Sequence, residues 1–297
     1  MSIAVSFCGL ELAHPLVNGS GTFDAIAARR VFGEAIATEF PFAAFVSKTI
    51  TLEPRDGNPP PRLYESAGGL INSIGLPNKG LKGYLQQDLP ALDWLPVPLI
   101  TNVMGSTVAE VSALVEAVEA CPQVSAIELN VSCPNVKTGL DIGAEPAELT
   151  RLLDEVRPLT AKPLVVKLTP NTADVSLVAQ AAEAAGADAV SLINTLRAFA
   201  PAPGGANGAW LGGGTGGLSG PAVRTVALAQ VRAVAARVNI PIVGMGGVAS
   251  GRHAQDLLEA GATLVGVGTE SFRDPLAARR IAAELQEIAA NGGVSAR

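Results

Sequence analysis

Two lysines of this sequence stand at the ends of short apolar runs that have the composition of buried β-strands. Lys48 follows AAFVS, and Lys167 follows PLVV. A lysine removed from water is costly unless an anion lies beside it, such as a buried carboxylate or an oxygen atom of a ligand. The placement predicts an anionic partner. It leaves open a structural ion pair, or a Schiff-base lysine of an aldolase-type enzyme.

Two glycine turns follow later apolar runs. Residues 244–247 read GMGG, and residues 266–269 read GVGT. Free backbone N–H groups in such turns, beside the N-terminus of a helix, form a phosphate site. Residues 244–249 also satisfy the GxGxxA pattern of a Rossmann fold, with Glu270 near the required distance. Six predicted strands precede this pattern, and they do not form the matching half-sheet of a Rossmann fold. This counts against that alternative.

Four asparagines lie at strand ends or in a long connection: Asn72, Asn102, Asn130 and Asn194. A side-chain amide both donates and accepts hydrogen bonds. A group of amides therefore suits a planar ligand that alternates N–H and C=O groups, such as a pyrimidine or an isoalloxazine. Turn formation is the ordinary role of any single asparagine, but four near one edge of a sheet favour ligand binding.

Cys133 lies in the string NVSCPN, on a segment that proline and asparagine make irregular. A thiol there can act as a nucleophile or as a general base once neighbouring cations or amides lower its pKa. Cys8 and Cys121 are interpreted as inert, small apolar residues.

Eight short apolar runs are mostly followed by Ala/Leu/Glu-rich segments of helical period. These segments predict helices over residues 107–120, 146–159, 174–185, 221–237, 252–260 and 275–290. The runs begin at Pro15, Ala43, Val97, Ser125, Pro163, Ala187, Ile240 and Thr263. Strands that are apolar on both faces need helices to cover them, so the pattern predicts an α/β protein, a single (β/α)8 TIM barrel over residues 1–297. Chemistry in this fold lies where the strands end, so the polar residues above should meet at one mouth.

Three connections carry further expectations. Residues 2–12 predict a hairpin that turns near Cys8 and Gly9 and closes the opposite, bottom end of the barrel. The connections over residues 50–96, after strand 2, and 196–220, after strand 6, are unusually long. Long loops at a catalytic mouth are typical of lids or substrate contacts, and a plain surface excursion is the alternative.

Composition excludes several classes of protein. The chain has 297 residues, is 48% hydrophobic and carries a net charge of -6, which argues against disorder and against a nucleic-acid partner. No signal peptide and no apolar run long enough to cross a bilayer is apparent, so we expect a cytoplasmic protein without membrane contact. The chain has three cysteines and two histidines. These are too few for a disulfide framework or for an iron–sulfur cluster within this chain, and we expect no metal site.

Several segments resemble the class 1 dihydroorotate dehydrogenases, specifically the class 1B, NAD-linked type. They are SKTITLEPRDGNPPPR from Ser47, NSIGLPNKG from Asn72, ELNVSCPNVKTG from Glu128, LINT from Leu192 and GGLSGPA from Gly216, followed by GMGGV and GVGT. The resemblance runs from about residue 10 to residue 285. Cysteine instead of serine in SCPN marks class 1 within the wider family.

The resemblance implies an FMN-dependent flavoprotein that oxidises (S)-dihydroorotate to orotate in de novo pyrimidine (UMP) biosynthesis. Cys133 would take the C5 proton while N5 of FMN takes the C6 hydride. Substrate contacts would come from Lys48, Asn72, Ser73, Ile74, Gly75, Leu76, Asn130, Asn194 and Thr195, with Asn135 as a further candidate. FMN contacts would come from Ser20, Lys48, Thr49, Asn102, Asn130, Lys167, Ile193, Gly220, Gly246, Gly247, Gly268 and Thr269. Lys167 would stabilise negative charge on the reduced ring.

The resemblance also implies a partner: an electron-transfer subunit with FAD and a [2Fe-2S] cluster that passes electrons to NAD, in a heterotetramer of two plus two. One departure bears on that partner. Residues 197–213 are richer in Ala and Gly and poorer in charge than the corresponding family stretch, which weakens the inference about the interface and the acceptor.

Four alternatives remain beside this interpretation. A related flavin reductase of another dihydropyrimidine would keep the cofactor and Cys133. A tRNA-modifying flavin barrel needs a basic face that this chain lacks. A flavin-free lyase would use Lys167 as a Schiff base, and a non-catalytic phosphate-binding barrel gives no reason for Cys133.

Overall fold

The computed structural model describes residues 2–131, 143–203 and 208–292, and it begins with the predicted hairpin. Strand β1 (Val5–Phe7) pairs antiparallel with β2 (Leu10–Leu12). Both turn residues, Cys8 (φ 48°) and Gly9 (φ 81°), adopt positive φ, as a two-residue turn matched to the twist of the strands requires. The prediction of a hairpin turning at these two residues is confirmed.

Eight parallel strands form the central sheet: β3 (Leu16–Asn18), β4 (Phe45–Val46), β7 (Leu99–Val103), β8 (Val124–Asn130), β9 (Leu164–Lys167), β10 (Ala189–Leu192), β13 (Ile242–Met245) and β14 (Leu264–Val267). Their spatial order is β3-β14-β13-β10-β9-β8-β7-β4. Seven of the strands lie within their predicted runs, and β8 begins one residue before its run, at Val124. This confirms the (β/α)8 barrel and excludes the open sheet of a Rossmann fold.

The seam between β3 and β4 is closed partly by a side chain. The only backbone bridge there joins Val17 and Ala44 within the described residues. The Asn18 amide completes the contact, since Nδ2 donates to Val46 O (2.7 Å) and Oδ1 accepts from Val46 N (2.8 Å). A fully buried amide therefore replaces one step of the β-ladder.

The lower part of the barrel interior is apolar. Phe7 and Leu12 of the hairpin are buried in it, so the hairpin closes the bottom as predicted. The residues they join include Val17, Val46, Ile100, Ala126, Val165, Ala189, Val243 and Leu264. Polar side chains are thereby confined to the other end of the interior.

Helices cover the outside of the sheet. The predicted helices are α4 (Val108–Glu119), α5 (Pro146–Val156), α6 (Val175–Ala184), α7 (Arg224–Ala235), α8 (Gly251–Glu259) and α9 (Ala277–Ala290). Three more were not predicted: α1 (Ala25–Phe32), α2 (Ala35–Thr38) and α3 (Gly80–Gly83). Each of the six longer helices buries an apolar stripe, as a barrel helix must.

The two long connections are joined to each other by a second, antiparallel sheet. It contains β5 (Leu63–Ser66) and β6 (Gly69–Asn72) from the first connection, and β11 (Leu196–Phe199) and β12 (Thr215–Ser219) from the second. Its order is β11-β12-β6-β5. The pairing of Gly217 with Asn72 links the two connections at the mouth, so neither connection is an independent excursion.

None of the helices within the described ranges combines the length and the apolar character needed to span a membrane.

Candidate active site

The barrel interior changes from apolar to polar toward the ends of its strands. On β8, Ala126 belongs to the apolar layer, and the inward positions after it are Glu128 and Asn130. Asn130 lies in register with Lys167 of β9, and Lys167 lies in register with Ser191 of β10. Three neighbouring strands therefore present a continuous polar layer at the mouth.

Lys167 is buried in this layer, with 6% of its surface exposed. It makes no ion pair with any residue that the structure describes. A structural ion pair, the alternative left open by the sequence, is therefore not found within those ranges. A buried ammonium group without a carboxylate is suited to an anionic or oxygen-rich ligand.

Lys48 reaches the mouth from the loop after β4, and its side chain is exposed. Partial desolvation by surrounding protein lowers its pKa, Asp24 acts in the opposite direction, and Arg62 lowers the pKa further. A cleft of about 1040 Å3 opens beside Lys48 and Thr49. A carboxylate bound in that position would favour the charged form of the lysine and raise its pKa again.

Asn102, on β7, is fully buried and held at two points. Its backbone N–H donates to Ser47 Oγ (3.0 Å), and its Nδ2 donates to the Glu128 carboxylate. Glu128 also accepts from Ser191 Oγ (2.7 Å). The Asn102 Oδ1 atom is buried and has no hydrogen-bond partner among the described residues. An acceptor of this kind points to a ligand N–H group.

The loops after β3 and β4 are tied together beside Asn102. Ser20 Oγ donates to Ser47 O (2.8 Å) and lies 3.3 Å from Thr49 Oγ1. Of the predicted cofactor residues, Ser20, Thr49 and Asn102 thus form one connected edge of the mouth.

The glycine turns after β13 and β14 converge with the loop before α7. Gly220 (φ 91°) and Gly247 (φ 66°) have positive φ, and an added Cβ at Gly247 would lie 2.9 Å from Gly220 O. An added Cβ at Gly220 would lie 3.4 Å from Thr269 Cγ2. Thr269 Oγ1 also donates to Ser219 Oγ (2.9 Å). The backbone is thus packed closely enough that only glycine fits, as a phosphate cradle requires.

The N-terminus of α8 has fewer free N–H groups for a phosphate than the sequence predicts. Ser250 Oγ accepts from His253 N (3.2 Å), and Glu284 accepts from Gly251 N (2.6 Å). The first N–H groups of α8 are therefore largely satisfied within the protein. The turn residues themselves, rather than α8, are left to bind an anion.

The predicted substrate residues gather around the second sheet. Asn72 Nδ2 donates to Gly217 O (3.2 Å), and an added Cβ at Gly217 would lie 1.9 Å from Thr195 Oγ1. Asn194 Oδ1 accepts from Thr195 N (2.8 Å). The two long connections thereby place these side chains together.

The segment after Asn72 is held in a tight turn. Ser73 is buried and accepts from Asn58 Nδ2 (3.0 Å). Gly75 and Leu76 both have positive φ, 76° and 55°. Ile74 O accepts from Asn58 N (3.0 Å). Asn58, which sequence reasoning did not single out, therefore fixes the turn.

Cys133 and Asn135 lie outside the described residues, in the gap between Val131 and Gly143. Their roles stay predictions from the sequence. The two ends of the gap lie close to each other, because an added Cβ at Gly143 would fall 2.3 Å from Val131 O.

Three residues at the mouth were missed: Ser47, Glu128 and Ser191. Glu128 did carry a signal, since it is a single charged residue inside the apolar run SAIELNV. Serines in a strand carry no comparable signal, because their partners come from other strands.

The donors and acceptors at the mouth fit the expected flavin mononucleotide. The unpartnered Asn102 Oδ1 suits a ring N–H group, the buried Lys167 suits electron-rich ring atoms, and the glycine turns suit one phosphate.

Comparison with known proteins agrees with these features. The family described as "Dihydroorotate dehydrogenase" matches residues 2–289. A protein of Geobacter metallireducens named "Dihydroorotate dehydrogenase B (NAD(+)), catalytic subunit" is 41% identical over 304 residues, covering 99% of this chain and 95% of its own. A protein of the same name from Desulforudis audaxviator is 42% identical over 302 residues, covering 98% and 94%.

Proposed function

Because the chain belongs to the dihydroorotate dehydrogenase family, we propose that it is the catalytic subunit of an NAD-linked dihydroorotate dehydrogenase with FMN as its cofactor. The reaction removes a hydride from C6 and a proton from C5 of (S)-dihydroorotate, which leaves the C5=C6 double bond of orotate. This is the oxidation step of de novo pyrimidine biosynthesis.

The observation that carries the proposal is the polar layer at one end of the barrel. Lys167, Asn130 and Asn102 lie on three neighbouring inner strands, with the glycine turns beside them. A flavin bound there supplies the hydride acceptor. Ser20, Lys48, Thr49, Asn102, Asn130, Lys167, Ile193, Gly220, Gly246, Gly247, Gly268 and Thr269 are the residues proposed to hold it.

We assign the recognition of dihydroorotate to the second sheet and the β4 loop. Lys48 pairs with the carboxylate of the substrate, which offsets the desolvation that lowers the pKa of this lysine. The amides of Asn72, Asn130 and Asn194 and the hydroxyl of Thr195 match the N–H and C=O groups of the pyrimidine ring. The turn over residues 73–76 closes the remaining side.

The proton step belongs to Cys133 in this proposal. A thiolate takes the C5 proton as C6 loses its hydride, and it returns the proton to water afterwards. Lys167 stabilises the negative charge that arrives with the two electrons.

A partner subunit would carry the electrons onward. The relatives' name, "catalytic subunit", indicates that they work with another chain. We propose that the partner of this chain holds FAD and a [2Fe-2S] cluster and reduces NAD, in a heterotetramer of two plus two.

The test is the visible spectrum of the purified chain under anaerobic conditions, before and after addition of dihydroorotate and then of NAD. We expect a flavin spectrum that bleaches with dihydroorotate and does not recover with NAD, because the partner is missing. A yellow protein that stays oxidised would point to another dihydropyrimidine. A colourless protein that cannot be reconstituted with FMN would overturn the flavin assignment. Recovery with NAD alone would overturn the two-subunit proposal.

A further inference from the structure

Glu128 is a buried carboxylate at the mouth to which the reaction above gives no role. It lies on β8, one inward position below Asn130, and 3% of its surface is exposed. No lysine, arginine or histidine within the described ranges forms an ion pair with it. Burial of a carboxylate among neutral groups costs stability, so a functional reason is expected.

Within the described residues, Glu128 accepts hydrogen bonds from two neutral donors on other strands. One carboxylate oxygen accepts from Ser191 Oγ (2.7 Å), two strands away on β10. The other accepts from Asn102 Nδ2 on β7. The carboxylate therefore spans the interior of the barrel and is fixed in rotation by partners on both sides.

The contact with Asn102 determines how that amide is oriented. The Glu128 oxygen accepts this hydrogen bond, so the NH2 group of Asn102 faces Glu128. The Oδ1 atom is then left on the other side, where it is buried without a partner among the described residues. The backbone N–H of Asn102 is held by Ser47 Oγ (3.0 Å), so the residue has little freedom to turn.

We propose that Glu128 is a positioning residue that holds the Asn102 side chain with its oxygen toward the flavin ring. The inference rests on the FMN assignment made above. The oxidised ring system carries one N–H group and several acceptors on its pyrimidine edge. An acceptor that cannot flip selects the orientation of the ring in which this N–H group meets it.

Ser191 belongs to the same hydrogen-bonded group as Glu128 and Asn102. Its hydroxyl holds the second carboxylate oxygen of Glu128, and it is fully buried. Without that bond the carboxylate can rotate, and Asn102 loses a fixed partner. Ser191 therefore acts on the ring through Glu128 and Asn102, without touching the ring itself.

The test is a double-mutant cycle on FMN binding by the full chain, measured by titrating the apoprotein with FMN and following flavin fluorescence. We expect Glu128→Ala to weaken binding roughly 10- to 100-fold, since it releases a buried amide, and Glu128→Gln to recover most of the loss. In an Asn102→Ala background, Glu128→Ala should cause no further weakening. Ser191→Ala should weaken binding by a smaller factor and also lose its effect in that background.

Glu119→Ala is the matched control. Glu119 is likewise held by a hydroxyl, that of Thr160, and by Lys162 N, but it ends α4 away from the mouth. This variant should bind FMN with unchanged affinity.

Two results would overturn the proposal. One is a Glu128→Ala protein with a lowered Tm but an unchanged FMN affinity and flavin spectrum, which would indicate a purely structural role. The other is a loss of affinity that persists in full without the Asn102 side chain. If Glu128→Ala does not fold, Ser191→Ala carries the same comparison. If the chain binds FMN but dihydroorotate does not reduce the flavin, the proposed activity is refuted and this inference still stands.

Discussion

The two lysines at the mouth illustrate how similar sequence contexts lead to different surroundings. Lys167 is an inward residue of β9 and is buried between Asn130 and Ser191 in register. Lys48 lies beyond the end of β4 and remains exposed at a cleft. A buried ammonium group is suited to a permanently bound group, and an accessible one to a substrate that enters and leaves. The assignment of Lys167 to the cofactor and of Lys48 to the dihydroorotate carboxylate follows this difference.

Cys133→Ala gives a direct test of the proposed base. We expect turnover of dihydroorotate to fall by about 10² to 10⁴, because general-base catalysis contributes on that order. FMN should stay bound with its spectrum intact, since no contact with FMN is assigned to this thiol. The measurement is single-turnover flavin bleaching by stopped flow.

Cys121→Ala is the control for the loss of a thiol, because Cys121 is buried beyond the end of α4. It should bleach at the wild-type rate. A Cys133→Ala protein that bleaches as fast as wild type would remove the base assignment and leave the substrate assignment standing.

At the scale of elements, the sequence predicts what repeats locally and misses what depends on distant pairing. All eight barrel strands could be predicted, since each is a short apolar run followed by a polar turn. Strand β12 has the sequence TGGLS, which has little β-propensity. It forms a strand because β6 and β11, from two distant segments, lie on either side of it.

Helix α1 was missed for a similar reason, although it carries one local signal. Asp24 caps it by accepting from Ala27 N (2.9 Å), and an aspartate ahead of AIAARR is a recognisable start. Only two of its eight residues, Ala25 and Ala28, are buried. It is also shorter than each of the six predicted helices, so its pattern covers little more than two turns.

Gly217→Ala should separate substrate binding from cofactor binding. An added Cβ would lie 1.9 Å from Thr195 Oγ1 and 2.5 Å from Thr195 Cβ, so Thr195 must move. We expect the KM for dihydroorotate to rise by about 10- to 100-fold, the scale of a displacement of about 1 Å in a site. The FMN dissociation constant should be unchanged, because Thr195 is assigned to the substrate.

Gly208→Ala is the matched control in the same connection, since an added Cβ there meets no described residue within 4 Å. Steady-state kinetics and an FMN titration on both variants complete the comparison. A normal KM for Gly217→Ala would show that Thr195 does not contact the substrate.

For the whole molecule, the barrel separates the groups that provide stability from those proposed to bind ligands. The hairpin and the apolar layer fill the bottom, while Glu128, Lys167 and Asn130 occupy the mouth. The buried carboxylate and ammonium at the mouth are costly for folding, and the packing below them must compensate. The cost of burying a polar group can therefore be measured at a position to which no ligand contact is assigned.

Tyr84 offers such a position, because it is 2% exposed and its hydroxyl lies 2.7 Å from Thr101 Oγ1. Burial raises the pKa of this phenol from 10.0 to about 12. Below pH 10, both folded and unfolded chains keep the proton. Above it, the unfolded chain loses the proton first, so stability falls as the pH rises from 10 toward 12, by about 3 kcal/mol in all.

Tyr84→Phe should remove this part of the pH dependence. Urea unfolding of both proteins between pH 9 and pH 12 measures it, and the stability of the wild type relative to the variant should decline by about 2 to 3 kcal/mol over that range. Tyr64→Phe, which removes the only other phenol from a half-buried position, controls for loss of a tyrosine hydroxyl. The wild-type decline should persist in that variant. A constant difference between wild type and Tyr84→Phe would mean that the folded chain does not retain the phenol proton above pH 10, because retention is the only source of the expected slope.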